Sequence, residues 1–446
     1  MSKSNEAHNS NKKSPELARL LRLKALLNTE IKVVGKTYYI YRAGVWQAHE
    51  RDLLRPLALK VLDAEDQNPH NERGILDLAE GLWQVPHGTF KGCAAFDPQG
   101  AILLNTLDGV LSITAEGVTE LPHAPEYFFT RQLQVVYDRS AQYPIYERVL
   151  CESLPCEEDR RLKQLCMANI FYPTSKMEVC LVEIGESGSG KSTLAEPFLQ
   201  MFDGGPDMQM VSHVTITQLC DNKTYALGGF EYSLVNHSTE LQSLEVADSS
   251  NFKILVSGEP LLVRNIYERP RRIRPTTKLW FLSNTLPRFK QGTAAELRRM
   301  RFLHYENVVS AENYDSGLKA KVTTEKNGIF SNWIVPALVD LMNLEQIPFG
   351  GTSASALRGR FALSNDPLAK FVKDRCVFEK EAFTPSHQLI NSLRFYYEDN
   401  DFPEGLGKNP LKPFLERYPQ TKLVRMRQFD QVRGVLGVRL NEETKE

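Results

Sequence analysis

The sequence predicts an α/β layer fold organised around a phosphate-binding loop. Three observations carry that expectation. A short apolar run, Val179, Leu181, Val182 and Ile184, ends in the glycine-rich turn GESGSGKST at residues 185–193. A helix-forming stretch, STLAEPFLQMF, follows at once. From there to about Met342, strand-like and helix-like segments alternate, the texture of helices layered on a sheet.

The remaining segments are placed in chain order. Residues 1–15 are polar and rich in Ser, Asn and Lys, the composition of a disordered tail. A helix starts near Pro15, where Leu17, Leu20, Leu21 and Leu27 share a face. KTYYIYRAGVWQA suits a strand pair about the Gly44 turn, and AAFDPQGAILLNTLDGVLSIT suits short strands about Gly100 and Gly109. AQYPIYERVLCESLP and EEDRRLKQLCMANIFY have apolar residues three and four apart, and the second has an acidic start that favours a helix N-terminus. GGTSASALRGR, residues 350–360, has the composition of a linker or loop. The expected units are the tail, a mixed α/β and helical domain over 16–165, the phosphate-loop domain over 166–345, and a small domain over 346–446.

Composition sets outer limits. The chain has 446 residues and a net charge of −1, so it has material for several cores and no bulk basic field. Any nucleic acid must meet a local patch. The 7 cysteines show no CxxC spacing, and free thiols in a reducing compartment are expected. The N-terminus lacks an apolar signal core and no 18-residue apolar run occurs, which predicts a cytoplasmic protein with no membrane partner.

GESGSGKST contains Gly185-x4-Gly190-Lys191-Ser192, the P-loop pattern. Glycines let the backbone aim successive N–H groups at phosphate oxygens. Lys191 would reach the β- and γ-phosphates, Ser192 would ligate Mg²⁺, and the following helix would add its positive end. Pro197 lies inside that helix, where it should kink the chain.

Further residues could complete such a site. Glu240 lies near the end of LVNHSTEL, where an acid can hold Mg²⁺ and orient water, although Ser238 and Thr239 equally suit a surface helix cap. Asn284 ends the apolar KLWFLSN, where an amide can reach a γ-phosphate or simply form a turn before Pro287. Arg298 and Arg299 precede a strand-like stretch, from which a guanidinium could reach a neighbouring subunit's nucleotide or remain in solvent. Between 264 and 274 stand Arg264, Arg269, Arg271, Arg272 and Arg274, with Tyr267 among them and Glu268 the one acid. Arginines neutralise phosphates and an aromatic stacks a base, while Leu261, Leu262, Val263 and Ile266 would anchor the strands.

In this order the stretches resemble superfamily 3 helicases, in particular the phage, plasmid and poxvirus primase–helicase family. GESGSGKST, LVNHSTEL, FKILVSGEPLLVRNIYERPRRIRPTTKLWFLSNTLPRF and ELRRMRF carry the resemblance, which spans roughly residues 85–440. LLNTLDGVLSI and the stretch from FFTRQL to PIYERVL look like that family's preceding domain. EKNGIFSNW looks like its closing helices, and DPLAKFVKDRC…RGVLGVRL like its winged-helix-like end. Two departures stand out: Ser189 where the family commonly has Asn, and Ser238-Thr239-Glu240 where it often has paired acids. No primase catalytic domain is evident, and primer synthesis is not expected.

The resemblance implies an AAA+-like ATPase core between an N-terminal mixed α/β domain and a small C-terminal winged-helix-like domain. It implies ATP on Gly185, Glu186, Ser187, Gly188, Ser189, Gly190, Lys191, Ser192 and Thr193, with Mg²⁺ at Ser192 and Glu240. Glu240 would activate water, Asn284 would sense the γ-phosphate, and Arg298 or Arg299 would act in trans within a ring, a hexamer by the family's habit. Lys253, Arg264, Tyr267, Arg269, Arg271, Arg272 and Arg274 would face a single DNA strand in the channel, with fork duplex nearby. The expected activity is ATP-dependent DNA unwinding in the replication of a virus, phage, plasmid or other mobile element. The alternatives are an ATP-switched DNA-binding initiator that never unwinds and a P-loop kinase or GTPase.

Overall fold

A computed structural model describes residues 15–205, 208–220, 224–231, 233–239, 245–246, 249–264, 270–289, 294–310, 315–400, 409–426 and 432–441. Glu240, Ile266, Tyr267 and Arg269 lie outside the described residues.

The centre is a five-stranded parallel sheet. Its strands are β1 (Cys180–Gly185), β2 (Val211–Ser212), β3 (Val235–Ser238), β4 (Lys278–Ser283) and β5 (Met300–Tyr305). The spatial order is β5-β1-β4-β3-β2, so β4 lies between the loop-bearing strand and β3. A parallel sheet is covered on both faces, which is why β1 and β4 are near-continuous apolar runs. Alternate residues feed two cores. Leu181, Trp280, Leu282, Leu303 and Tyr305 enter one, with helices Glu157–Ile170, Lys191–Met201 and Val335–Asn343. Val182, Ile184, Phe281 and Phe302 enter the other, with helix Ser250–Ser257.

Upstream, helices Pro15–Leu27, Arg51–Lys60 and Pro69–Leu82 pack on a three-stranded antiparallel sheet that holds the expected pair about Gly44. Asn68 caps the third helix by accepting from the His70 and Asn71 N–H groups, both at 3.0 Å. A four-stranded antiparallel sheet over residues 94–121 joins the first of the two central cores, so its apolar face and helix Lys191–Met201 share one interior.

One expectation fails. Residues 350–360 are not a linker. Gly350, at φ +86°, turns the chain, and helix Thr352–Ser364 follows. The buried Asp159 carboxylate accepts the Gly351 N–H at 2.7 Å. Ala354, Leu357 and Phe361 then bury three and four residues apart, the last two with Phe302 in the second core. Helix Lys191–Met201 continues through Pro197, which is buried within it.

The C-terminal part has a core of its own. Helices Pro367–Arg375, Ser386–Asp399 and Leu411–Arg417 pack with a three-stranded antiparallel sheet whose central strand is Val432–Leu436. All seven cysteines are free. Among the described residues no helix is long and apolar enough to cross a membrane.

Candidate nucleotide site

The glycine-rich turn leaves the C-terminal end of β1 and enters helix Lys191–Met201. Gly188 and Gly190 have φ of +81° and +89°, the left-handed region that a side chain opposes. Space is the second reason for glycine here. A Cβ on Gly190 would collide with Ser153 Oγ, and one on Gly185 would come within 2.6 Å of the Tyr305 carbonyl oxygen. The loop is therefore seated on its surroundings from below.

Lys191 is buried and folds back over the loop. Its ammonium donates to the carbonyls of Gly185 and Glu186, the latter at 2.8 Å, and to Ser189 Oγ at 3.1 Å. Burial pushes its pKa below the usual lysine value, and the negative charge of Glu183 offsets part of that. Ser189 itself donates to the Glu186 carbonyl at 2.8 Å. Glu186, Ser187, Gly188 and Ser192 face solvent.

Ser187 to Thr193 line a cleft of about 210 Å³ with Thr239, Leu282, Ser283 and Asn284. Asn284 reaches it because β4 is the immediate neighbour of β1, with Ser283 in register with Ile184. Thr239 reaches it from the end of β3. A second cleft of about 490 Å³ shares Asn284 and is walled by Glu186, His304, Glu306 and Arg360. Glu306 is held there by His304 and Ser353, each at 3.0 Å.

Arg298 and Arg299 end helix Ala294–Arg299, and their settings differ. Arg298 is 66 % exposed and pairs with Glu178 at 3.2 Å. Arg299 is 12 % exposed and donates to Ser257 Oγ at 3.0 Å and to the Ala295 carbonyl. Of the two, Arg298 presents the more accessible guanidinium.

The basic segment forms an antiparallel pair, Leu261–Val263 with Arg271–Ile273. Leu261, Val263 and Ile273 are buried, but Leu262 points outward opposite Arg272, so Leu262 does not anchor the hairpin as expected. Arg271 donates through two nitrogens to Glu231, at 2.9 and 2.7 Å. Lys253 pairs with the buried Glu296 at 2.7 Å, on a helix beside the hairpin rather than in it. Arg264, Arg272 and Arg274 are exposed.

With this geometry in place, comparison adds three findings. A family of unknown function, DUF5906, matches residues 184–299, the stretch from the glycine-rich turn to Arg299. No curated protein matches the sequence. The whole chain resembles the apo structure of the C-terminal region of NrS-1, with 15% identity, a TM-score of 0.57, and coverage of 96% of this chain and 100% of that one. A second apo structure of that region, in its A form, gives 14% identity, a TM-score of 0.56, and 94% and 98% coverage. The mixed α/β fold is thus shared with that region from end to end.

Several lining residues escape sequence reasoning. Thr239, Ser283 and Arg360 are brought to the clefts by strand order, which has no local signature, and by the helix over 352–364, whose apolar spacing is masked by Gly and Ser. Glu183 is an acid inside the apolar run of β1, and its only sequence signal is that it interrupts that run.

Proposed function

We propose that the chain is an ATP-dependent DNA helicase or translocase of the superfamily 3 type, acting in the replication of a virus, phage, plasmid or other mobile element. One observation carries the reading: the loop's open face, Ser192, Thr239 and Asn284 all line one cleft at the C-terminal edge of the parallel sheet. Ligands of open α/β sheets bind at that edge.

The loop fits a triphosphate. Gly188 and Gly190 give the loop the positive φ it needs, Gly185 and Gly190 leave room for Tyr305 and Ser153 beneath it, and the helix N-terminus favours an anion. Lys191 would exchange its present carbonyl partners for phosphate oxygens. The exposed Ser192 hydroxyl would hold Mg²⁺, with Glu240 as the acid the sequence suggests, and the ion would neutralise charge developing on the phosphates. Asn284 would orient the attacking water or the γ-phosphate. Arg298 of a neighbouring protomer would stabilise transition-state charge, a role worth ~10³- to 10⁵-fold in rate elsewhere. A trans-acting arginine calls for a ring, and a ring would repeat the Arg264, Arg272 and Arg274 patch around a channel.

The test is ATP hydrolysis with and without single-stranded DNA, alongside native mass. We expect an oligomer whose turnover rises with DNA. Lys191→Ala should lower turnover by about two orders of magnitude or more. Undiminished turnover in that variant sinks the site assignment.

An initiator that binds duplex without unwinding it is the second reading, and the C-terminal part favours it. Arg425 and Arg433 stand directly opposite each other on adjacent antiparallel strands, a like-charge pairing that costs stability unless an anion covers it. Helix Ser386–Asp399 exposes Gln388, Asn391 and Arg394, side chains suited to base edges in a winged-helix-like arrangement. ATP-dependent duplex binding with forks left intact in strand-displacement assays would favour this reading over the first.

A further inference from the structure

Beneath the phosphate loop lies a charged cluster that the proposed reaction does not use. Glu183 is two residues before Gly185 on β1, and Lys163 lies on helix Glu157–Ile170. Their side chains are both 0 % exposed and meet at 2.6 Å. The hydroxyl of Tyr305, the last residue of β5, donates to the other Glu183 oxygen at 3.1 Å. The Lys163 ammonium also lies 5.5 Å from the Trp280 ring centroid and 5.8 Å from that of Tyr305. One carboxylate therefore ties together β1, β5 and the helix packed across them.

The cluster continues upward into the loop. Tyr305 pairs in register with Gly185, and its backbone occupies the space a Gly185 side chain would need. The Gly185 carbonyl in turn receives the Lys191 ammonium. Contacts run without a gap from Lys163 through Glu183, Tyr305 and Gly185 to Lys191. A buried ion pair is a poor source of stability, because desolvation cancels most of the attraction and apolar replacements of similar volume are often neutral. Its persistence under the loop calls for another reason.

We propose that Lys163, Glu183 and Tyr305 are positioning residues for nucleotide binding: Glu183 anchors the Tyr305 hydroxyl, and the fixed tip of β5 holds Gly185 and hence the carbonyl cradle of Lys191. None of the three lines the cleft on the loop's open face, and Tyr305 alone borders the second cleft beside it. The inference rests on the P-loop reading above.

The test compares wild type, Tyr305→Phe, Lys191→Ala and the double variant Lys163→Met/Glu183→Leu in the full chain. Each is titrated with a fluorescent ATP analogue, assayed for ATP hydrolysis and melted thermally. Tyr305→Phe should keep the wild-type melting temperature, bind the analogue about tenfold more weakly and raise KM while kcat changes little, a loss of ~1.4 kcal/mol. The double variant should melt within a few degrees of wild type and show the same weakened binding. Wild-type affinity and KM in both variants would overturn the proposal, as would weakening that only tracks a lower melting temperature. If wild type and Lys191→Ala bind the analogue equally poorly, the P-loop reading itself falls and takes this inference with it. If wild type binds well and only the Tyr305 and double variants fail to weaken binding, the P-loop reading survives alone.

Discussion

Lys191 and Arg272 are both cations aimed at phosphate in the proposed function, yet the protein holds them in opposite ways. Lys191 is buried, its three donor sites already occupied by the Gly185 and Glu186 carbonyls and Ser189 Oγ, and its backbone is fixed between β1 and a helix. Arg272 is exposed on a two-stranded ribbon whose outward neighbour across the ladder is Leu262. The first arrangement is preorganised, so a ligand exchanges partners in place and little ordering cost remains. The second is a solvated charge whose attraction is long-ranged and screened by salt. Changes in and under the loop should therefore appear in nucleotide affinity. Changes on the hairpin should appear in salt dependence and leave the fold alone.

The sharpest way to break that contrast is Gly190→Ala. The residue sits at φ +89°, and an added Cβ would meet Ser153 Oγ. Strain and collision together cost ~3 kcal/mol or more, which corresponds to about a hundredfold loss of nucleotide affinity if the loop shifts to relieve them. Gly205→Ala is the control: its φ is +87°, but a Cβ there meets nothing within 4 Å. It should cost some stability and leave ATP binding unchanged. Equal nucleotide affinity in wild type and Gly190→Ala would show that the loop is not preorganised.

The same contrast explains what is legible in the sequence. The glycine-rich turn between a strand and a helix is, because its requirements are local: glycine where φ is positive and helix formers after Lys191. That Asn284 arrives beside it depends on β4 lying next to β1, a matter of strand order that no short stretch encodes. The 350–360 segment passes for a loop because its Gly and Ser content masks Ala354, Leu357 and Phe361 at helical spacing. Leu262 cannot be an anchor because three apolar residues in a row, Leu261 to Val263, cannot all face one side of a strand. Glu183 looks like an interruption of an apolar run, and only the packing of Lys163, on the preceding helix, against the sheet makes it a partner.

A second prediction concerns pH and falls on the sheet side. His237 on β3 is buried with its ring 4.6 Å from that of Trp280. Burial first, and then the neighbouring His213, Lys163 and Lys319 charges, push its pKa down to about 4, with Glu196 opposing. The folded value lies below the ordinary 6.5. Between those values the unfolded chain binds a proton that the folded chain refuses, so stability falls as pH drops from about 6.5 to about 4. The loss is at most ~3 kcal/mol. His237→Gln should flatten that limb of the melting temperature against pH, while Arg272→Ala should leave it unchanged. Parallel limbs in wild type and His237→Gln would remove His237 as the source.

The smallest effect belongs to the hairpin, and it tests the opposite half of the contrast. Arg272→Ala and Arg274→Ala each remove an exposed guanidinium, the first on strand Arg271–Ile273 and the second just after it. Each should weaken single-stranded DNA binding several-fold at low salt and reduce the slope of log affinity against log salt by ~0.7 for each phosphate that is no longer neutralised. ATP turnover without DNA and the melting temperature should stay at wild-type values, because neither residue lines the cleft. Arg271→Ala is the informative companion. Its guanidinium is already held by Glu231, so its removal should change the salt slope less than either neighbour and lower the melting temperature slightly. Identical salt slopes for all four proteins would mean that DNA runs elsewhere, and the exposed charge of this ribbon would then have no part in gripping the strand.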